Sequence, residues 1–97
     1  MPKGYWIAHV AVEDLQQYQE YVRRGAEAFP KYGAKFLARG GASEEIEGGL
    51  GRTRHVVIEF PSYQAALDCY RSDEYQYAIE ARAPVSQAYI TIVEGVA

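Results

Sequence analysis

Five residues of this chain are the most able to do chemistry: His9, His55, Glu59, Arg39 and Tyr89. An imidazole beside a carboxylate makes an acid–base pair, in which the carboxylate orients the ring and the ring moves a proton. Such a pair can abstract a proton beside a carbonyl, as an isomerase or a cyclase requires. His9 and Glu59 are the candidate catalytic residues on this reading. Arg39 is suited to grip a substrate carboxylate in a bidentate fork, or equally to bridge to a glutamate of a second copy. Tyr89 and His55 complete the candidate ligand-binding set. A competing reading keeps the same residues and removes the chemistry: Glu59 pairs with His9 or Lys35 only to offset its burial.

The elements that must position these groups follow from periodicity. Glu59 sits inside His55-Val56-Val57-Ile58-Glu59-Phe60, a β-branched and aromatic run closed by Pro61-Ser62. That pattern predicts a central strand turning directly into a helix. Tyr5 to Val12 alternates as a strand. Asp14 is a good N-cap, and Leu15, Tyr18, Val22, Ala26 and Phe29 draw one apolar helical stripe that Pro30 and Gly33 close. Lys35 to Arg39 predicts a short strand, and Ser43 to Glu47 extends that edge or bends away from it. Gly48-Gly49-Leu50-Gly51 reads as a loop. Ser62 caps the next helix, and Ser72-Asp73-Glu74 marks a fresh helix start, with acids where the helix dipole favours them. Tyr75, Ala78, Ile79 and Arg82 continue that piece to Pro84, and Ala88 to Glu94 is the last strand.

The order strand, helix, strand, strand, helix, strand is the ferredoxin-like split arrangement. The expected fold is therefore α+β, a four-stranded antiparallel sheet with two helices on one face, in a single domain over residues 1–97. The other face is bare and calls for a second layer. A homodimer, sheet face to sheet face, is expected to supply it. If Trp6, Val10, Val56, Ile58, Phe60, Ile90 and Ile92 face the helices, the bare face carries His9, Glu59 and Tyr89, with Lys35, Arg39, His55 and Thr91. Running the first and third strands parallel groups His9 with Glu59 and Tyr89 at one end. Arg39 then lies opposite His55 at the other. Trp6 and the tyrosines of the first helix either pack the core or wall an aromatic pocket.

Composition removes several classes of function. Net charge is −3 and the basic residues are dispersed, which excludes a phosphate-tracking surface. The third strand exposes His55, Val57 and Glu59 rather than stacking aromatics, so a nucleic-acid module is excluded as well. Cys69 is the only cysteine; it forms no internal disulfide and reads as a small buried hydrophobe. No apolar run approaches the ~20 residues of a membrane span, and a cytoplasmic address is expected. His55 and Glu59 are ~13 Å apart along one strand, too far to share one metal ion, so neither a metal nor another cofactor is expected.

The segments "MPKGYWIAHV", "FLARGG" and "HVVIEFPSYQAALDCYRSDEYQ" resemble the bacterial domain of unknown function 1330 family, across Gly4 to Glu94. The resemblance implies the dimeric α/β-barrel superfamily and so the same fold and a dimer. Relatives in that superfamily include cofactor-free monooxygenases, haem-degrading enzymes, lactone isomerases and polyketide cyclases. The monooxygenases and haem-degrading enzymes lean on an asparagine with a tryptophan or a histidine. This chain contains no asparagine, and both its histidines fall on predicted strands. What the resemblance leaves open is an uncharacterised protein acting on a small carbonyl or carboxylate compound, or a non-enzymatic dimer module with interface ion pairs.

Overall fold

The computed structural model describes residues 2–49 and 51–97. The elements are β1 (Gly4–Val12), α1 (Leu15–Lys31), β2 (Lys35–Arg39), β3 (Arg54–Phe60), α2 (Tyr63–Arg71), α3 (Asp73–Arg82), a 3-10 turn (Ala83–Val85) and β4 (Ser86–Glu94). The sheet order is β2-β3-β1-β4, and every neighbouring pair is antiparallel. This is the expected α+β, ferredoxin-like arrangement. One feature of the expectation is overturned: β1 and β3 run antiparallel, not parallel. The crossover through α1 returns β2 in the direction of β1, and the connection from β2 to its neighbour β3 then reverses the chain.

Local signals account for the helices. Asp14 caps α1 by accepting from the Gln17 amide at 3.1 Å. Ser62 caps α2 by accepting from the Ala65 amide at 3.0 Å. Ser72 both ends α2 and starts α3, as its acidic neighbours predict. Its hydroxyl donates to the Cys69 carbonyl at 2.7 Å and accepts from the Tyr75 amide at 3.2 Å. One buried side chain thus serves orphan groups of two helix ends. Residues 43–47 form no strand. Of the Gly48–Gly51 loop, Leu50 lies outside the described residues.

Strand alternation sorts the faces as expected. Trp6, Ala8, Val10, Val56, Ile58 and Phe60 are buried beneath the helices, with Ile90 and Ile92 packed against them. Trp6 is the hub. Its ring lies 4.9 Å from Tyr75, 5.4 Å from Phe29, 5.5 Å from Phe60 and 5.8 Å from Tyr70. Its indole N–H donates to the Ala66 carbonyl at 2.9 Å, tying β1 to α2. Removing a buried ring of this kind costs ~3–5 kcal/mol. Gly4 permits the layers to meet, because a Cβ there would lie 2.5 Å from the Ser62 carbonyl oxygen.

Candidate functional site

The register separates the residues that sequence parity grouped on the bare face. His9 lies opposite His55 on β3 and opposite Tyr89 on β4. Glu59 lies opposite Tyr5 and Lys35. The expected His9–Glu59 pair is therefore not formed: four strand positions, ~13 Å, separate them. His9 Nδ1 instead meets His55 Nδ1 at 2.8 Å. Glu59 accepts a hydrogen bond from the Tyr5 hydroxyl at 3.3 Å. Desolvation, then the Glu59 charge, raises the Tyr5 hydroxyl above its ordinary pKa. Tyr89 stands beside His9 as expected, half-exposed, with the Arg52 guanidinium 4.1 Å from its ring centre.

Arg39 is the second correction. A bulge between Phe36 and Ala38 shifts the β2 register, so Arg39 lies opposite Val56 rather than His55. The extra residue reverses the parity of the strand beyond it. Arg39 thereby moves to the helix side, its guanidinium 4.0 Å from the centre of the Phe36 ring. From this end of the strand it is the neighbouring Gly40 that reaches His55, donating its backbone N–H to the His55 carbonyl at 2.9 Å.

On that helix side, between sheet and helices, lies a cavity of about 30 Å³ counted as room for water centres, enough for about two waters. Its walls are Trp6, Tyr18, Tyr21, Phe29, Phe36 and Tyr75 with aliphatic residues of the sheet, and Arg39, Arg54 and Arg82 line it. No carboxylate lines it. None of the three arginines makes an ion pair among the described residues. Arg82 is 8% exposed, and the Nε atoms of Arg54 and Arg82 are buried without a hydrogen-bond partner. The Arg54 guanidinium faces the Tyr18 ring at 5.6 Å and that of Arg82 faces Tyr21 at 5.5 Å. Cation–π contact offsets part of the desolvation of such a charge but does not neutralise it.

Two hydroxyls complete the cavity. Tyr21 Oη and Tyr75 Oη share a hydrogen bond of 2.9 Å. Burial pushes the Tyr21 hydroxyl well above its ordinary pKa. It raises Tyr75 less, because the charge of Arg82 and hydrogen bonds from Tyr21 and Arg82 oppose it. Both are neutral donors at physiological pH. Gly40 makes room for Arg54: it has φ of 69°, and a Cβ there would lie 2.3 Å from Arg54 Nη1. Cys69 lies outside this set, and burial pushes its thiol up to about 12, which makes it inert.

Arg54 and Arg82 were not among the sequence candidates, although a signal existed for each. Arg54 shares the parity of Val56, Ile58 and Phe60, and Arg82 falls on the same helical stripe as Tyr75, Ala78 and Ile79. A charge on an inward-facing period is the pattern that points to a buried guanidinium.

The family model described as "Domain of unknown function (DUF1330)" matches residues 3–96. The chain belongs to that family. Among solved structures, this DUF1330 chain resembles the RPA0582 protein of unknown function from Rhodopseudomonas palustris. The two are 15% identical with a TM-score of 0.77, covering 99% of this chain and 84% of the other. A dimeric ferredoxin-like protein of unknown function from Jannaschia sp. CCS1 is 14% identical with a TM-score of 0.66, covering 95% and 98%. SnoaB, a cofactor-independent oxygenase from Streptomyces nogalater, is 11% identical with a TM-score of 0.68, covering 100% and 96%. At these identities the likeness shows the fold alone. No curated protein matches the sequence significantly. Among the described residues, no helix of this DUF1330 protein is long and apolar enough to cross a membrane.

Proposed function

We propose that this protein binds a small planar organic molecule bearing a carboxylate, or an enolate-like oxygen, in the cavity between sheet and helices. The observation that carries this reading is the pair of buried, unpaired guanidinium Nε atoms on Arg54 and Arg82, in a cavity lined by no acid. A buried cation without an anion is costly, and a ligand carboxylate removes that cost through a charge-assisted fork. The aromatic walls suit a flat ring. A flat ring needs more room than about two waters, and Arg39, exposed at the end of β2 and stacked on the Phe36 ring, is the side chain that must swing aside to admit it. The lining holds no carboxylate, imidazole or thiol to act as a base. Arg82 with the Tyr21–Tyr75 hydroxyls instead suits stabilisation of negative charge on a carbonyl oxygen.

The bare face has a different role in this reading: it packs against a second copy. Ile7, Tyr89 and Val93 stand exposed there at 36%, 51% and 43%, and the Jannaschia protein of the same fold is dimeric. Tyr5, Glu59 and Lys35 then serve as interface polar groups rather than as chemistry.

A thermal-shift screen of benzoate-type and 2-oxo acids tests the ligand reading, because binding to the native state raises the midpoint by mass action. At least one aromatic carboxylate is expected to raise it, and the matching neutral amide is not. Equal response to acid and amide, or no response across the panel, overturns it.

A further inference from the structure

The two imidazoles on the bare face serve neither the cavity nor the core. The geometry points to His9 and His55 as a two-nitrogen chelate for a divalent copper or nickel ion. The residues face each other directly across antiparallel strands, so the rigid backbone of two central strands holds both rings. Their Nδ1 atoms are 2.8 Å apart. Two nitrogens ~2.0 Å from one ion stand ~2.8 Å apart at a right angle and ~3.3 Å apart at a tetrahedral angle. The observed separation is that of the hydrogen bond between the rings, short enough that both nitrogens reach adjacent corners of one ion once the rings turn. Imidazole suits Cu²⁺ and Ni²⁺, and Cu²⁺ is the tightest binder of the divalent series.

The surroundings favour a cation. The cleft over this pair is lined by Ser43, Glu44, Glu45 and Glu47 of the loop between β2 and β3, and no lysine or arginine lines it. Arg52, the basic residue recorded nearby on this face, is turned onto the Tyr89 ring. No group of three or more histidine, cysteine or acidic side chains is set for a metal among the described residues. The chain therefore supplies two nitrogens, and water completes the coordination, with the loop carboxylates acting only through their charge. In the hydrogen-bonded pair one Nδ1 carries a proton and the other accepts it. Metal binding requires that single Nδ1 proton to leave to solvent or move to Nε2, so that both Nδ1 lone pairs are free. The hydrogen bond between the rings is then replaced by two bonds to the ion. This inference is independent of the anion reading of the cavity; it requires the second copy that covers the bare face to leave the cleft over His9 and His55 open, which metal titration of the dimer reads directly.

The test titrates the purified protein with CuCl₂, NiCl₂ and MgCl₂ at neutral pH, following melting and, for copper, electron paramagnetic resonance. The expected result is saturable Cu²⁺ binding with coupling to two nitrogens. At a hundredfold excess over Kd the midpoint should rise by about 10 °C or more, with no effect of Mg²⁺. His9→Gln and His55→Gln should each weaken copper binding at least ~10-fold. Copper-induced line broadening in the unmutated protein, mapped by ¹⁵N NMR, needs no variant and should centre on residues 9 and 55. Broadening centred elsewhere, or binding unchanged in both variants, overturns the assignment, as does the absence of binding below millimolar metal.

Discussion

The end of the sheet that holds Val10, Val56 and Ala88 carries opposite chemistry on its two faces. Beneath the helices it meets Arg39, Arg54 and Arg82 and no acid. On the bare side it carries His9 and His55 under Glu44, Glu45 and Glu47, with no lysine or arginine lining the cleft. The difference arises from strand alternation, since Arg54 and His55 are consecutive residues sent to opposite faces. Two adjacent positions thus divide this end of the molecule into an arginine-lined interior and a cleft lined by imidazoles and carboxylates. They also explain why a single acid–base site does not assemble: the carboxylate that would complete it, Glu59, stands at the far end of β3, held by Tyr5.

The sharpest way to break this comparison is to remove one charge from the interior alone. Arg82→Met is expected to weaken an aromatic carboxylate ~10–100-fold, the value of a lost charge-assisted contact, while copper binding at His9 and His55 stays unchanged. Calorimetric titration of both ligands checks it. A parallel loss of both would mean that the two faces are not separate sites.

Gly40→Ala probes the support of Arg54. Placing a side chain at φ of 69° against Arg54 Nη1 should cost ~1–2 kcal/mol in urea unfolding from the left-handed backbone alone. It should also displace the guanidinium, so carboxylate affinity falls together with stability. Unchanged affinity would show that Arg54 does not need its place against Gly40.

How much of this was legible in the sequence depends on the residue. Alternation through Trp6, Ala8 and Val10 and through Val56, Ile58 and Phe60 named the buried face, because a period of two leaves no other choice. The serine at 72 with acids behind it named the helix break. Strand sense was not local information: it follows from counting a crossover and a reversal, and it decides whether His9 meets Glu59 or His55. The bulge near Leu37 was hidden too, since Lys-Phe-Leu-Ala-Arg carries no glycine or other sign of an extra residue, and it moved Arg39 to the opposite face. Arg54 and Arg82 fall on inward periods, but Arg54 lies just ahead of the strand expected from His55, and Arg82 carries no partner pattern that marks it as a site residue.

The smallest expected effect lies away from both faces and calibrates them. On α1, hydrogen bonds from Arg23 and Arg24 hold Glu20 down to about 2. A carboxylate depressed in the folded state adds stability above its unfolded value of 4.5 and loses it as pH falls from there toward about 2. Glu20→Gln should therefore reduce stability slightly at neutral pH and flatten its decline over that acid window in pH-dependent melts. The three side chains lie on the surface of α1, with Arg24 and Glu20 partly covered, so the change should be at the small end of the surface ion-pair range.

Trp6, the only tryptophan, lines the cavity and gives the most direct test of the anion-binding interior. Its fluorescence should change saturably on titration with an aromatic carboxylate, and ¹⁵N NMR should place the perturbed signals at the Trp6 indole and the Arg54 and Arg82 Nε–H groups. Perturbations confined to His9, Glu59 and Tyr89, with Trp6 unmoved, would put the ligand on the bare face and contradict the account.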